Sequence, residues 1–196
     1  MVYLICKSIL LFERIDNMNN DKPIRINELS DRIQDKELCN AICNAFDLLY
    51  KNDHYLILHE PSDSDHEMDK YHYVGERAIV FRFAYYLQKI LENNHLFQGL
   101  SVDCEYNRNL NDVKRTPKFP QGTYPDLILH KRGEESNNLL IMEFKAYWNK
   151  DKNKHYDIDK LNDFIDVKGD YGYDYGIYVI LEKEKDDVKI FALNKK

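Results

Sequence analysis

Several signals that would mark a zinc protein, a secreted protein or a membrane protein are missing from this chain. Only four cysteines occur, at 6, 39, 43 and 104, and no CxxC or Cys/His pair at zinc-ligand spacing accompanies them. Cys39 and Cys43 stand one helical turn apart, the placement of reduced thiols in a cytosolic core. The seven histidines form no HxxxH or C₂H₂ pattern. The apolar opening, residues 1–12, is broken by Lys7 and is too short to cross a bilayer. It also lacks a basic leader and a small-residue cleavage site, so neither membrane insertion nor secretion is expected and the chain reads as cytoplasmic. Met18 precedes a polar stretch, which makes residues 1–17 a candidate dispensable extension.

Positive charge is also short. Lys and Arg number 28 against 34 Asp and Glu, a formal charge of −6. A coat that holds DNA by phosphate neutralisation alone is basic, so that class is disfavoured. An enzyme that recruits divalent cations with carboxylates is not, because the metal supplies the missing charge. Tryptophan occurs once, whereas tyrosine occurs 15 times. Such amphipathic rings suit a surface that meets partners as well as a core; AT-rich codon usage gives the same excess, and Lys, Asn, Asp and Ile are abundant too.

At 196 residues the chain fits one domain, or one domain with an N-terminal extension, and can bury a sizeable core. It shows no repeat and no low-complexity linker. Apolar residues at 38, 42, 45, 46 and 49 predict a helix over 33–49, followed by a short apolar run at 55–58 and an exposed acidic loop at 61–71. Over 76–92, Val80, Phe83, Leu87 and Ile90 form one continuous helical stripe. Counting back four from Val80 lands on Glu76, so this carboxylate belongs to the buried side, where the helix dipole or a site could hold it.

Residues 100–106 alternate as a strand, with Val102, Cys104 and Tyr106 on one face and Asp103 and Glu105 on the other. A loop over 108–122 carries Arg108, Lys114, Arg115 and Lys118. Two strands, 125–130 and 139–145, flank a turn-rich segment. A helix over 155–166 and strands over 176–182 and 187–193 complete the chain. This order predicts an α/β (α+β) fold with a mixed sheet, divided into an N-terminal helical extension with its acidic loop (1–72) and a core (73–196).

The hairpin carries the chemistry. Glu143 and Lys145 share one face of their strand, about 6–7 Å apart, while Phe144 points to the core. A symmetric turn places Asp126 opposite 143–145, so two carboxylates and an ammonium converge. Asp126 and Glu143 are hard oxygen ligands suited to Mg²⁺ or Mn²⁺, which keep several waters and take only one or two protein carboxylates. The Phe144 carbonyl lies between them and could complete the shell. Such a metal polarises a phosphoryl oxygen and activates water, and Lys145 can orient or deprotonate that water or offset charge on phosphorus. His130 shares the Asp126 face but lies toward the turn, where a structural role is favoured. Asp103 and Glu105 could hold a second metal, although solvent exposure is favoured.

Pro125-Asp126 followed by Glu143-Phe144-Lys145 resembles the signature of the PD-(D/E)xK nuclease superfamily, and the elements over 76–182 resemble the αβββαβ core of its restriction-endonuclease-like fold. GERAIV at 75–80, EYNR at 105–108 and HKRG at 130–133 also resemble small bacterial and phage proteins of this kind. The resemblance implies a mixed central sheet flanked by helices and a Mg²⁺- or Mn²⁺-dependent nuclease, with DNA favoured over RNA. It implies roles for Asp126, Glu143, Lys145 and Glu76, the last matching the acid that many members carry on the first core helix. Lys160 matches a basic position near substrate. Arg108, Lys114, Arg115 and Lys118 are candidates for backbone phosphates, and a solvated basic loop accounts for them equally well. A homodimer is compatible, since one site cuts one strand. Two rivals stay open: a catalytically silent nucleic-acid-binding module on the same fold, and an acidic protein-interaction module.

Overall fold

The computed structural model describes residues 22–58, 74–134, 137–149 and 154–195. The apolar opening, the candidate extension 1–17 and the acidic loop 61–71 lie outside the described residues.

Helix α1 (Lys36–Asn52) begins at Asp35, whose carboxylate accepts the Leu38 amide hydrogen at 2.9 Å, and Lys51 sits in its last turn. Leu38, Ile42, Ala45, Phe46 and Leu49 form its buried stripe. Helix α2 (Glu76–Glu92) buries Ile79, Val80, Phe83, Leu87 and Leu91. The two stripes meet at Phe46 and Phe83, ring centres 4.6 Å apart, and Phe83 in turn packs 5.3 Å from Phe144 of the sheet.

Five strands form the main sheet in the order β1 (Ser101–Cys104), β4 (Leu127–His130), β5 (Asn138–Ala146), β6 (Tyr175–Leu181) and β7 (Lys189–Asn194). Every neighbouring pair is antiparallel except β5 and β6, which are parallel. A parallel pair needs a crossover, and helix α3 (Lys154–Ile165) lies on it. The protein is thus a mixed α/β fold whose mostly antiparallel five-stranded sheet is flanked by helices.

Strand alternation sorts the side chains into two cores. Leu127, Leu129, Leu140, Met142 and Phe144 face α1 and α2. Ile128, Ile141, Tyr178 and Phe191 face the Leu161–Phe164–Ile165 side of α3. Gly176 lets α3 approach closely, because a Cβ there would stand 3.2 Å from Ile165 Cγ2 and 3.5 Å from Leu161 Cβ. By the same parity Glu143 and Lys145 fall on the α3 face.

Described residues of the segment read as an N-terminal extension (1–72) join this packing. Ile24 bridges Ile190 of β7, and Ile26, Leu29 and Ile33 enter the same core as α1 and α2. Two local expectations need correction. The strand expected over 100–106 ends at Cys104, since Glu105 turns into the left-handed region with φ 49°. The loop expected over 108–122 contains a small hairpin, β2 (Arg108–Asn109) with β3 (Asp112–Val113). The apolar run at 55–58 contributes to a 3₁₀ turn, His54–Leu56.

Candidate active site

Leu127 pairs with Met142, so the residue just before β4 meets the one just after 142 on β5. Asp126 Oδ2 accepts the Phe144 amide hydrogen at 2.8 Å, and the Asp126 amide faces Glu143 Oε1 at 3.4 Å. Phe144 therefore reaches the site through its N–H. Glu143 is 1% exposed. Burial, with Asp126 alongside, pushes its carboxyl well above the usual range, and burial raises Asp126 as well.

Helix α3 completes the cluster from above. Its buried stripe runs through Leu161, Phe164 and Ile165, and the same stripe one turn earlier carries Asp157 and Lys160. Lys160 Nζ donates to Glu143 Oε2 at 2.7 Å and to the Tyr124 carbonyl at 3.3 Å. Asp157 Oδ2 lies 3.3 Å from Lys145 Nζ, and Asp157 Oδ1 lies 4.0 Å from Lys160 Nζ. Asp157 is buried, and Lys145 is the nearer of the two ammonium groups that its carboxylate faces.

Glu76 closes the outer side. Its Oε1 accepts the Ala146 amide hydrogen at 2.8 Å and an Asn149 side-chain hydrogen at 3.0 Å, and its Oε2 lies 3.8 Å from Lys145 Nζ. Four carboxylates thus surround two ammonium groups. Burial opposes the charge on Lys145, but Asp157 and Glu76 outweigh it and raise its pKa, so it stays protonated at neutral pH. An open cavity of 370 Å³ lined by Lys145, Ala146, Tyr147, Asn149, Ile180 and Glu182 adjoins the cluster.

Asp157 is absent from the sequence reading although its signal is there. It stands four residues before the core residue Leu161, the same relation that singled out Glu76 from Val80.

The basic residues expected to meet phosphate take varied positions. Arg108 is exposed on β2. Arg115 pairs with Asp112 at 3.0 Å, and Lys118 pairs with Asp159 at 2.8 Å. Lys160 is buried inside the carboxylate cluster rather than displayed at its rim. Lys114 is buried too, its ammonium 4.8–5.9 Å from the ring centres of Tyr106, Phe164, Tyr171 and Tyr173. Asp103 does not face open solvent: His130 Nε2 lies 3.0 Å from its Oδ2 and Arg132 Nε donates to the same oxygen at 2.8 Å. Although burial raises the Asp103 carboxyl, these two partners bring it well below the usual range. Glu105 pairs with Arg77.

Burial lowers the Lys114 pKa from 10.5 to about 8. Below that value both folded and unfolded chains carry the charge, and the folded state bears its full desolvation. Between pH 8 and 10.5 the unfolded chain binds more protons, so this contribution to stability improves as pH rises. Lys114→Met is therefore expected to stabilise the protein at pH 7 by about 1–3 kcal/mol, partly offset by lost cation–π attraction. Urea denaturation at several pH values should show this advantage shrinking above pH 8; an advantage that does not change with pH would contradict the assignment.

Among the described residues no three His, Cys, Asp or Glu side chains stand together as a ready-made metal cage. The donor set instead fits a hard divalent cation that needs few protein ligands: two adjoining carboxylates, both held above their usual pKa, with the buried Asp157 carboxylate, ion-paired to Lys145, nearby. No helix among the described residues is long and apolar enough to cross a membrane. No family model, no curated protein and no solved structure matches the chain.

Proposed function

We propose that this protein is a divalent-cation-dependent phosphodiesterase that hydrolyses nucleic acid, with DNA favoured over RNA, on a restriction-endonuclease-like core of α2, β1, β4, β5, α3 and β6. The observation that carries this reading is the convergence of Asp126 and Glu143 beside Lys145 on one sheet face. Burying like charges side by side is costly for folding alone, and a cation between them would turn that cost into binding energy.

Asp126 and Glu143 would hold Mg²⁺ or Mn²⁺. When bound, the ion supplies Lewis acidity toward a phosphoryl oxygen and lowers the pKa of a coordinated water. The Phe144 amide fixes the Asp126 carboxylate through Oδ2, while Lys160 fixes Glu143 through Oε2. Lys145, kept protonated between Asp157 and Glu76, orients the attacking water and offsets charge growing on phosphorus; in that state it is not a base. Glu76 ties the start of α2 to the end of β5 and so limits how far Lys145 can wander.

The Lys160–Glu143 ion pair favours a second reading, a catalytically silent nucleic-acid-binding module whose acid is already satisfied by protein. Incubation with labelled single-stranded, double-stranded and branched DNA, and with RNA, in Mg²⁺, Mn²⁺ or EDTA separates the two. Cleavage in either metal, absent in EDTA and lost in Lys145→Ala, is expected. No product from any substrate would pass the site to the second reading.

A further inference from the structure

Two exposed tyrosines stand at the rim of the cluster. Tyr156, in the first turn of α3 and one residue before Asp157, is 51% exposed, and Tyr124, two residues before Asp126, is 56% exposed. Lys160 reaches the Tyr156 ring and the Tyr124 backbone. The Lys160 Nζ that donates to Glu143 at 2.7 Å also donates to the Tyr124 carbonyl at 3.3 Å and lies 5.7 Å from the centre of the Tyr156 ring. The Tyr156 ring is not loose. Phe119, itself 9% exposed, meets it edge to face with ring centres 4.5 Å apart. A propped, half-open ring therefore stands next to the reactive carboxylates.

Of the four cations on the 108–122 loop, Arg108 is exposed and the other three are engaged. Lys118 is paired with Asp159 at 2.8 Å, Arg115 with Asp112 at 3.0 Å, and Lys114 is buried among rings. A duplex presents phosphates on both strands and hides its bases in their own stack, so a protein grips it mainly through rows of available Lys and Arg. An unpaired strand presents base faces, and aromatic stacking holds these with little dependence on charge. An open ring beside a loop with three of its four cations engaged suits the second geometry.

We infer that the Tyr156 ring is a base-stacking platform and that the substrate class of this site is single-stranded nucleic acid. The inference rests on the phosphodiesterase reading for its chemistry, but the binding it describes can be measured without turnover. A base stacked on Tyr156 would bring its flanking phosphates toward Glu143 and Lys145. Recognition would be tolerant of sequence, because every base has a π-face.

The test is fluorescence anisotropy in EDTA with a labelled mixed-sequence DNA of about 12 nucleotides, within the span that single-strand sites commonly cover, and with the corresponding duplex. Wild type, Tyr156→Ala and Tyr156→Trp are compared, each checked for an unchanged thermal transition. Preference for the single strand is expected, with about 5- to 100-fold weaker binding for Tyr156→Ala. Tyr156→Trp, which keeps a stacking face, should retain affinity. Duplex bound as tightly as single strand, or a Tyr156→Ala variant that binds like wild type, would overturn the inference. Parallel cleavage assays in Mg²⁺ keep the two readings apart. Duplex cleavage unaffected by Tyr156→Ala would sink the platform and leave the phosphodiesterase. Single-strand binding that depends on Tyr156, without cleavage, would support the platform and count against the phosphodiesterase.

Discussion

Lys145→Ala is expected to lower the rate of metal-dependent cleavage by about 10²–10³-fold, the usual consequence of removing one preorganised electrostatic partner of a transition state. The reasoning begins with the strand. Lys145 is two residues beyond Glu143 on β5 and so shares its face, and the side chain is held at 3.3 Å by Asp157 and at 3.8 Å by Glu76. A protonated group fixed in this way stabilises charge that develops on phosphorus more than charge already present on the bound strand. The loss should therefore fall on kcat, with KM changed little. Single-turnover kinetics on wild type, Lys145→Ala and Lys145→Arg would measure it. Arg keeps the charge but not the compact ammonium geometry, so partial recovery is expected. Equal rates for wild type and Lys145→Ala would remove Lys145 from the chemistry.

The second large effect is on stability. Lys160→Met is expected to destabilise the protein by about 3–5 kcal/mol near neutral pH in EDTA, because it strands a buried carboxylate. Glu143 and Lys160 are 1% and 6% exposed and form a 2.7 Å ion pair, with Asp126 and Asp157 close by. Without Lys160, nothing of opposite charge touches the Glu143 carboxylate. The pH dependence follows from the direction in which Glu143 is already shifted. Its folded pKa lies above the ordinary 4.5, so in that window the folded state holds a proton that the unfolded chain has released. Stability from this group is complete below the ordinary value and is lost as pH rises through the folded one. The Lys160→Met deficit should consequently be smallest in acid and grow toward neutrality. Lys160→Met combined with Glu143→Gln should recover much of it, since a neutral amide needs no cation. Urea denaturation across pH would show both effects; a deficit under about 1 kcal/mol at pH 7 would mean that the pair contributes little to the fold.

How far sequence reached depended on periodicity. The helix over 76–92 was legible to the residue because its apolar stripe is unbroken and Gly75 and Asn93 bound it. The pairing of the two central strands was legible because alternation and a short turn leave few registers, and Leu127 opposite Met142 lies within the expected arrangement. Asp157 was missed for a different reason. Charged residues at 151, 152, 154, 157, 159 and 160 make the start of α3 look like a solvated face, and only the core position of Leu161 shows which of them turn inward.

The basic loop was the least legible part. Whether a lysine meets solvent or protein depends on partners distant in the chain. Asp159 neutralises Lys118 from 41 residues away, and Thr116 anchors the loop on Asp163 from 47 residues away. The aromatic enclosure of Lys114 draws on Tyr171 and Tyr173, which follow α3. No local pattern around 108–122 encodes those distances. The end of β1 at Cys104 was hidden in the same way, because alternation continues past the point where Glu105 adopts positive φ.

The central claim is that Asp126 and Glu143 together hold a divalent cation, and titration of Mn²⁺ followed by electron paramagnetic resonance tests it most directly. Wild type should bind the ion, and Glu143→Gln, which keeps the shape and removes the charge, should lose that binding while still folding. If wild type leaves all Mn²⁺ free at millimolar concentration, or if Glu143→Gln binds it equally well, the carboxylate pair is not a metal site and the proposed chemistry fails with it.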